Sequence, residues 1–216
     1  MSLLGSLSMS FLQRSFVVGA VSSAIVASFA VALPAQAQSA PITALRGKIT
    51  AISGDQMKVH TRAGQDVDVQ LNKETVVRVV ENADPKDIAP GSYIGTAAVP
   101  QADGSLKALE VHVFPPSMAG TGDGHRPWDL GNNSSMTNGT VGNVLVSNGR
   151  TITVKYKGGE KNIVVPTDVP IVKLEPGDRS QLKAGTNVVL FASKQPDGSL
   201  AARAISAGKN GVVPPM

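Results

Sequence analysis

Two carboxylates and one imidazole lie close together in a Gly-rich segment of the chain. Asp123, His125 and Asp129 offer the oxygen and nitrogen atoms that divalent metal ions accept as ligands. The same segment holds the single tryptophan, Trp128. The acids and glycines could therefore equally shape turns around an aromatic plug. Since the three residues follow no fixed ligand spacing, metal binding and turn formation are both left as alternatives.

Basic residues are concentrated further along the chain. Lys155 and Lys157 precede Gly158-Gly159, Lys161 follows, and Arg150 is nearby. A hairpin at the glycines would place Lys157 opposite Lys161, and such a like-charge pair costs stability unless an anion satisfies it. We therefore predict that Arg150, Lys155, Lys157 and Lys161 form an anion-attracting face. The alternative is a solvated basic edge that prevents strand-to-strand aggregation.

An earlier hairpin pattern carries charges of alternating sign. A three-residue loop would place Arg62 opposite Asp66 and His60 opposite Asp68, which are compatible pairs. His60 and His112 fall on outward positions of strands, where single histidines are usually solvated. If neighbouring strands bring these two imidazoles together, they could instead share a metal ion or an anion.

The composition excludes several kinds of chemistry. The chain has 216 residues, no cysteine and three histidines, which rules out disulfide scaffolds, Cys-ligated zinc, iron–sulfur clusters and thiol catalysis. Ser180 and Lys183 match the Ser-x-x-Lys spacing of acylating enzymes, but the Ser-Asp-Asn and Lys-Thr-Gly partners are missing. We expect a protein that is not an enzyme and binds no cofactor.

The elements that position these residues are predicted to be short strands. Apolar residues alternate with polar ones, as in Met57 and Val59 against Lys58 and His60. Turn signals such as Ala102-Asp103-Gly104 separate the strands. No stretch shows a sustained helical period, so the sequence predicts an all-β fold.

A repeat organises the strands. Asp103–Ala108 recurs as Asp197–Ala202, displaced by 94 positions, and the same displacement gives ten identities between Leu71 and Val113. Two modules follow, 44–114 and 138–209. Six short strands in each module suit a small closed barrel, because closure hides the sheet edges. The first module has 8 basic and 9 acidic residues, whereas the second has 10 and 5.

The turn and core motifs resemble a family of exported bacterial proteins. They are a Gly-x-Ile start (Gly47–Ile49), an Ile-x-x-Gly corner (Ile88–Gly91) and an Asp-Gly-x-Leu-x-Ala hairpin (Asp103–Ala108). That family is catalogued as a domain of unknown function. The resemblance implies two tandem OB-like β-barrels, each with five to six strands, and it transfers no catalytic residue.

The ends of the chain and the segment between the modules complete the predicted organisation. Residues 1–37 resemble a signal peptide, with an apolar run before Ala35-Gln36-Ala37 and cleavage between Ala37 and Gln38. An uncleaved anchor is the alternative, and no later run is long enough to span a membrane. Residues 115–137 form a predicted Gly/Asn/Pro-rich linker, and 210–216 a flexible tail.

These observations predict an exported, periplasmic or secreted protein of the bacterial envelope. It would act as a binding or structural module whose partner is an anionic polymer or another envelope protein. Nucleic acid is not an expected partner, because few aromatic residues are available to stack on bases. The alternative is an accessory metal-handling protein that is not a permease and uses the linker and strand His and Asp residues.

Overall fold

Every regular element that the structure describes is a strand or a short 3-10 turn, so the predicted all-β class is confirmed. The computed structural model describes residues 42–146 and 150–216, and the predicted signal segment with its cleavage site lies outside them. The strands are β1 (Ile42–Ser53), β2 (Gln56–Thr61), β3 (Asp66–Gln70), β4 (Val76–Asn82), β5 (Tyr93–Pro100), β6 (Leu106–Val113), β7 (Gly124–Pro127), β8 (Ser135–Val146), β9 (Arg150–Tyr156), β10 (Gly159–Val165), β11 (Ile171–Pro176), β12 (Asn187–Lys194) and β13 (Leu200–Gly208).

The strands follow from the alternation in the sequence. In β2, Met57 and Val59 are fully buried, whereas Lys58 and His60 are exposed, because successive side chains point to opposite faces of a sheet. The hairpin between β5 and β6 turns at Gly104, whose φ of 83° favours glycine. In the ranges 42–146 and 150–216, no helix has the length and apolar character needed to cross a membrane.

The strands form one mixed sheet that contains two closed circuits of hydrogen-bonded strands. In the first circuit, called ring 1, the pairing order is β3-β2-β1-β12-β13, and β13 closes it by pairing in parallel with β3. In ring 2 the order is β10-β9-β8-β5-β6, and β6 pairs in parallel with β10. Each ring encloses its own apolar cluster.

This connectivity differs from the predicted pair of sequential barrels. Each ring takes three strands from one predicted module and two from the other, so neither 44–114 nor 138–209 closes a ring alone. The registers repeat at the same displacement: Leu200 pairs with Val69 in ring 1, and Leu106 pairs with Ile163 in ring 2. The two modules therefore exchange their halves.

Strands β4 and β11 join the two rings. β4 pairs with β13 and β11 with β6, both in parallel, and β4 and β11 pair with each other in antiparallel fashion. A third apolar cluster lies at this junction and includes Val80, Leu174, Tyr93, Phe114 and Met216.

The segments predicted as linker and tail are built into the fold. β7 pairs with β8, and β8 begins at Ser135, inside the predicted linker. The tail, predicted to be flexible, ends on the buried Met216, which is 4% exposed. Arg46 Nε donates to the Met216 carbonyl oxygen at 2.9 Å and Arg62 Nη2 to that of Pro214 at 3.1 Å. The prediction of a flexible tail was wrong, because the apolar Met216 side chain has a site in the third cluster.

Candidate functional site

The hairpin between β9 and β10 has a different register from the predicted one. Tyr156 pairs with Gly159 and Lys155 with Glu160, so Lys157 and Gly158 form a two-residue turn. Gly158 permits this turn because its φ is 105°. The predicted opposition of Lys157 and Lys161 was therefore wrong, and Lys155 instead faces a residue of opposite charge.

The corresponding hairpin of ring 1, between β2 and β3, neutralises its charges across the strands. The turn between the strands, residues 62–65, places His60 opposite Asp66 and Lys58 opposite Asp68, so each aspartate faces the residue two positions before its predicted partner. His60 Nδ1 lies 2.7 Å from Asp66 Oδ1, and Lys58 Nζ lies 2.8 Å from Asp68 Oδ1. The prediction missed this register because it extended the pairing to Arg62, whereas the turn, with Gly64 at a φ of 80°, already begins at Arg62.

Lys161 occupies a position that an apolar residue holds in ring 1. It shares a face of β10 with Ile163 and Val165, which are buried in the core of ring 2. The counterpart of Lys161 is Val67, which packs against the core of ring 1. A cation therefore lies, half-buried, at a core-facing position at the end of ring 2.

His125 of β7 places an imidazole near Lys161. The His125 ring is stacked on Tyr156 of β9, with ring centroids 6.1 Å apart. Burial lowers the pKa of His125, and the charges of Lys161 and Arg126 lower it further. The His125 Nδ1 atom lies 2.8 Å from Thr137 Oγ1. Arg126 points to the other side of β7, where its guanidinium carbon lies 5.8 Å from the Trp128 ring centroid and its Nη1 donates to the Gly122 carbonyl oxygen at 2.8 Å. We call Lys157, Lys161 and His125 the basic mouth of ring 2.

Asp123 holds the β7 segment against this hairpin. Its Oδ1 accepts a hydrogen bond from the Lys157 backbone N–H at 2.7 Å, and its Oδ2 accepts one from Tyr93 Oη at 3.4 Å. Burial raises the pKa of Tyr93 to about 12, with the Asp123 charge contributing. The hydroxyl of Tyr93 is thus a stable donor, and Asp123 positions the turn that carries Lys157.

The four residues predicted as one anion-attracting face do not share a face. Arg150 lies at the opposite end of β9, about 20 Å from Tyr156 at 3.3 Å per residue, and Arg150 Nη1 donates to the Pro85 carbonyl oxygen. Lys155 points to the side of β9 opposite Val154, which is fully buried. Lys157 and Lys161 remain, and sequence reasoning did not place His125 beside them because this proximity depends on the pairing of β7 with β8.

The predicted metal ligands are not brought together. Asp129 accepts two hydrogen bonds from Arg46, at 2.7 and 2.8 Å, and Arg46 lowers the pKa of this carboxyl group. Asp123 and His125 have the partners described above. Across 42–146 and 150–216, no group of three or more His, Asp and Glu side chains is arranged to hold a metal ion.

His60 and His112 belong to different rings, so they cannot share a ligand as the sequence allowed. His112 is buried rather than solvated, and its Nδ1 lies 3.0 Å from Oε2 of the fully buried Glu110. The other carboxylate oxygen accepts the Ala97 backbone N–H at 2.7 Å, beside a β-bulge at which Leu109 of β6 has no partner on β5. The signal that could have identified this pair is the spacing of two within one strand.

A glycine makes room for the buried histidine. Gly95 of β5 lies between His112 of β6 and Asn138 of β8 in the pairing register. A Cβ atom on Gly95 would lie 2.0 Å from His112 Nε2 and 2.6 Å from Asn138 Oδ1. The counterparts in ring 1 are Val189, Ser206 and Arg46, so this polar row is specific to ring 2.

The comparison with known proteins adds a family but no activity. Residues 46–112 match a family model described as "Domain of unknown function (DUF5666)", which confirms the resemblance to a family of unknown function. The matched segment contributes β1–β3 to ring 1 and β5–β6 to ring 2. No curated protein and no solved structure matches the chain.

Proposed function

We propose that this chain is an exported, non-enzymatic module of the bacterial envelope that binds an anionic ligand or polymer at the basic mouth of ring 2. Its two rings would be OB-like barrels that arose from a tandem repeat and exchanged halves. The closed five-strand circuits and the parallel closure in each ring support this architecture. Periplasmic or secreted localisation rests on the signal-like segment 1–37.

This proposal rests on Lys161, which occupies in ring 2 the position that Val67 holds in ring 1. Placing a cation at a core-facing position costs free energy unless an opposite charge compensates it. In ring 1 the equivalent hairpin has an apolar residue there and forms ion pairs on its outer face. Among the described residues, Lys157 and Lys161 form no ion pair, so their charges are available to an anion.

The aromatic ring in the mouth supports an extended ligand rather than a single ion. Tyr156 presents an apolar surface beside the cations, and its partner His125 can donate or accept a hydrogen bond. A polymer with anionic groups on sugar-like units would use both the charges and the ring surface. This chemistry is consistent with an anionic envelope glycan as partner.

Binding assays on matched variants test the proposal. We expect heparin and lipopolysaccharide, used as probes, to bind the parent protein at low salt and to dissociate as salt rises. Lys161→Val installs the residue of the other ring and should weaken binding about tenfold, the effect of one charge-assisted hydrogen bond. Lys58→Ala, in the ion-paired hairpin of ring 1, is the matched control and should leave binding unchanged. Equal binding by Lys161→Val and the parent would overturn the proposal.

The metal-handling alternative has no comparable support. Asp129 is engaged by Arg46, and Asp123 by Lys157 and Tyr93. Calorimetric titration with zinc and copper distinguishes the two functions. The metal-handling alternative predicts that Asp123→Asn reduces metal uptake, whereas the anion proposal predicts no change. Export is tested separately by mass spectrometry of secreted material, with Gln38 as the expected first residue.

A further inference from the structure

Arg78 of β4 is a half-buried cation without an acidic partner in the described part of the chain. Its Nε atom is buried and donates no hydrogen bond there. Burial lowers the pKa of the guanidinium group. Glu81 of the same strand does not compensate the charge, because it binds Lys209 and Lys173 at 2.5 and 3.6 Å.

The fold does not require an arginine at this position. The counterpart of Arg78, 94 positions later, is Val172 of β11, which is 2% exposed and packs in the third cluster. Arg78 pairs with Ser206 as Val172 pairs with His112, so the two positions occupy equivalent places in the sheet. One joining strand thus carries an apolar residue where the other carries a charge that costs free energy to bury.

Arg78 lines a cavity of about 380 Å³, a size within the usual range for small-molecule sites. The walls are β4, the 3-10 turn at Pro116–Met118 and the end of β11. Asn138 Nδ2 donates to the Thr121 carbonyl oxygen at 3.0 Å and so holds the linker over the cavity, and Tyr93 Oη lies 3.3 Å from the same oxygen. Its lining is of two kinds. Hydroxyl groups come from Thr75, Ser117 and Thr121, and apolar surface comes from Val77, Met118 and Pro176.

We propose that this cavity binds a small organic acid, with Arg78 as the cation that holds its carboxylate or phosphate group. The guanidinium fork matches the geometry of both groups and forms two parallel hydrogen bonds with either. The hydroxyl groups of Ser117 and Thr121 offer further donors. An inorganic ion would leave most of the cavity empty, so the Met118 and Pro176 surfaces favour a ligand with an apolar body.

Titrations of the full chain, followed by nuclear magnetic resonance and by calorimetry, test this site. The probes are hexanoate and hexyl phosphate, with acetate, inorganic phosphate and hexanol as the arms that separate charge from apolar body. We expect the two six-carbon acids to shift the amide signals of Arg78, Ser117 and Thr121. Arg78→Val should weaken their binding by about 10- to 100-fold.

Two further variants keep the outcome interpretable. Arg78→Val copies the residue of β11 and should fold with an equal or higher Tm, while hexanoate should raise the Tm of the parent protein only. If Arg78→Val does not fold, Arg78→Lys retains the charge without the fork and should show an intermediate loss. Lys161→Val changes the basic mouth and should bind hexanoate like the parent.

The inference is overturned if Arg78→Val, or Arg78→Lys where the former is unfolded, binds the acids as tightly as the parent. Binding of hexanol with the same affinity as hexanoate would also overturn it, because the negative charge of the ligand would then be irrelevant. If inorganic phosphate binds as tightly as hexyl phosphate, the proposed role of the apolar part of the ligand is overturned. These outcomes are separate from those at the basic mouth, because the two experiments use different variants and probes.

Discussion

Val80 lies directly opposite Leu174 in the antiparallel pair of β4 and β11, and these residues are counterparts at the displacement of 94 positions. Pairing of a residue with its own counterpart is what a two-fold axis produces in a symmetric dimer. Both side chains are buried in the third cluster. The pair therefore joins two rings within one chain in the way that an isologous interface joins two subunits.

The exchange of halves should make both rings unfold together. Met57 and Ile152 are fully buried in rings 1 and 2, and truncating either to alanine should cost about 2–5 kcal/mol. We expect each variant to lower the midpoint of a single denaturant transition, followed by both Tyr and Trp fluorescence and circular dichroism. A separate transition for either ring would show that the exchanged strands do not couple them.

Glu110 should stabilise the fold through the bulge amide that it satisfies. Glu110→Ala would leave the Ala97 N–H buried without its acceptor, at a cost of about 1–3 kcal/mol. Glu110→Gln keeps an oxygen for that amide and should cost less. Urea denaturation of the two variants measures the difference, and equal losses would argue that only the pairing with His112 matters.

The C-terminal residue should contribute to stability despite its position. Met216→Ala removes a buried side chain from the third cluster, and we expect a loss of about 2 kcal/mol or more in the free energy of unfolding. Val213→Ala is the matched control, because the Val213 side chain is 53% exposed. A Tm unchanged in Met216→Ala would mean that the tail is not packed in solution.

His125 should report the electrostatics of the basic mouth. Its pKa lies below 6.5 because of burial, Lys161 and Arg126, so Lys161→Val should raise it, as should a bound anionic polymer. The ring signals of His125 in a pH titration by nuclear magnetic resonance, assigned with His125→Asn, measure this. A His125 pKa unaffected by Lys161→Val would place the two side chains too far apart for a joint site.

The same pKa shift has a consequence for stability. A histidine whose pKa is lowered in the folded state resists protonation there, so its contribution is complete above about pH 6.5 and is lost as the pH falls through the folded pKa. We expect the free energy of unfolding to decrease over that range in the parent protein. The decrease should be smaller in His125→Asn, and an identical pH profile in both proteins would contradict the assignment.

The sequence by itself determined the strands, the turns and the correspondence between positions of the two repeats. Alternation placed Met57 and Val59 inside, and the Asp-Gly hairpins at Gly104 and Gly198 turn with φ values of 83° and 85°. These features depend on residues close in sequence, and local physical rules describe them. Turn length was the local feature that failed, because the turn through Gly64 begins at Arg62 and moves the partner of each aspartate by two positions.

The tertiary structure alone decided which halves close each ring. Two similar modules offer each strand two partners of the same apolar pattern, so periodicity cannot distinguish pairing within a module from exchange between modules. The exchange places Arg78 beside the linker rather than beside an acid, and the pairing of β7 with β8 brings His125 near Lys161. Burial of Glu110 likewise follows from packing between distant segments. Long-range contacts of this kind set the charge environment of each candidate site, and spacing along the chain does not encode them.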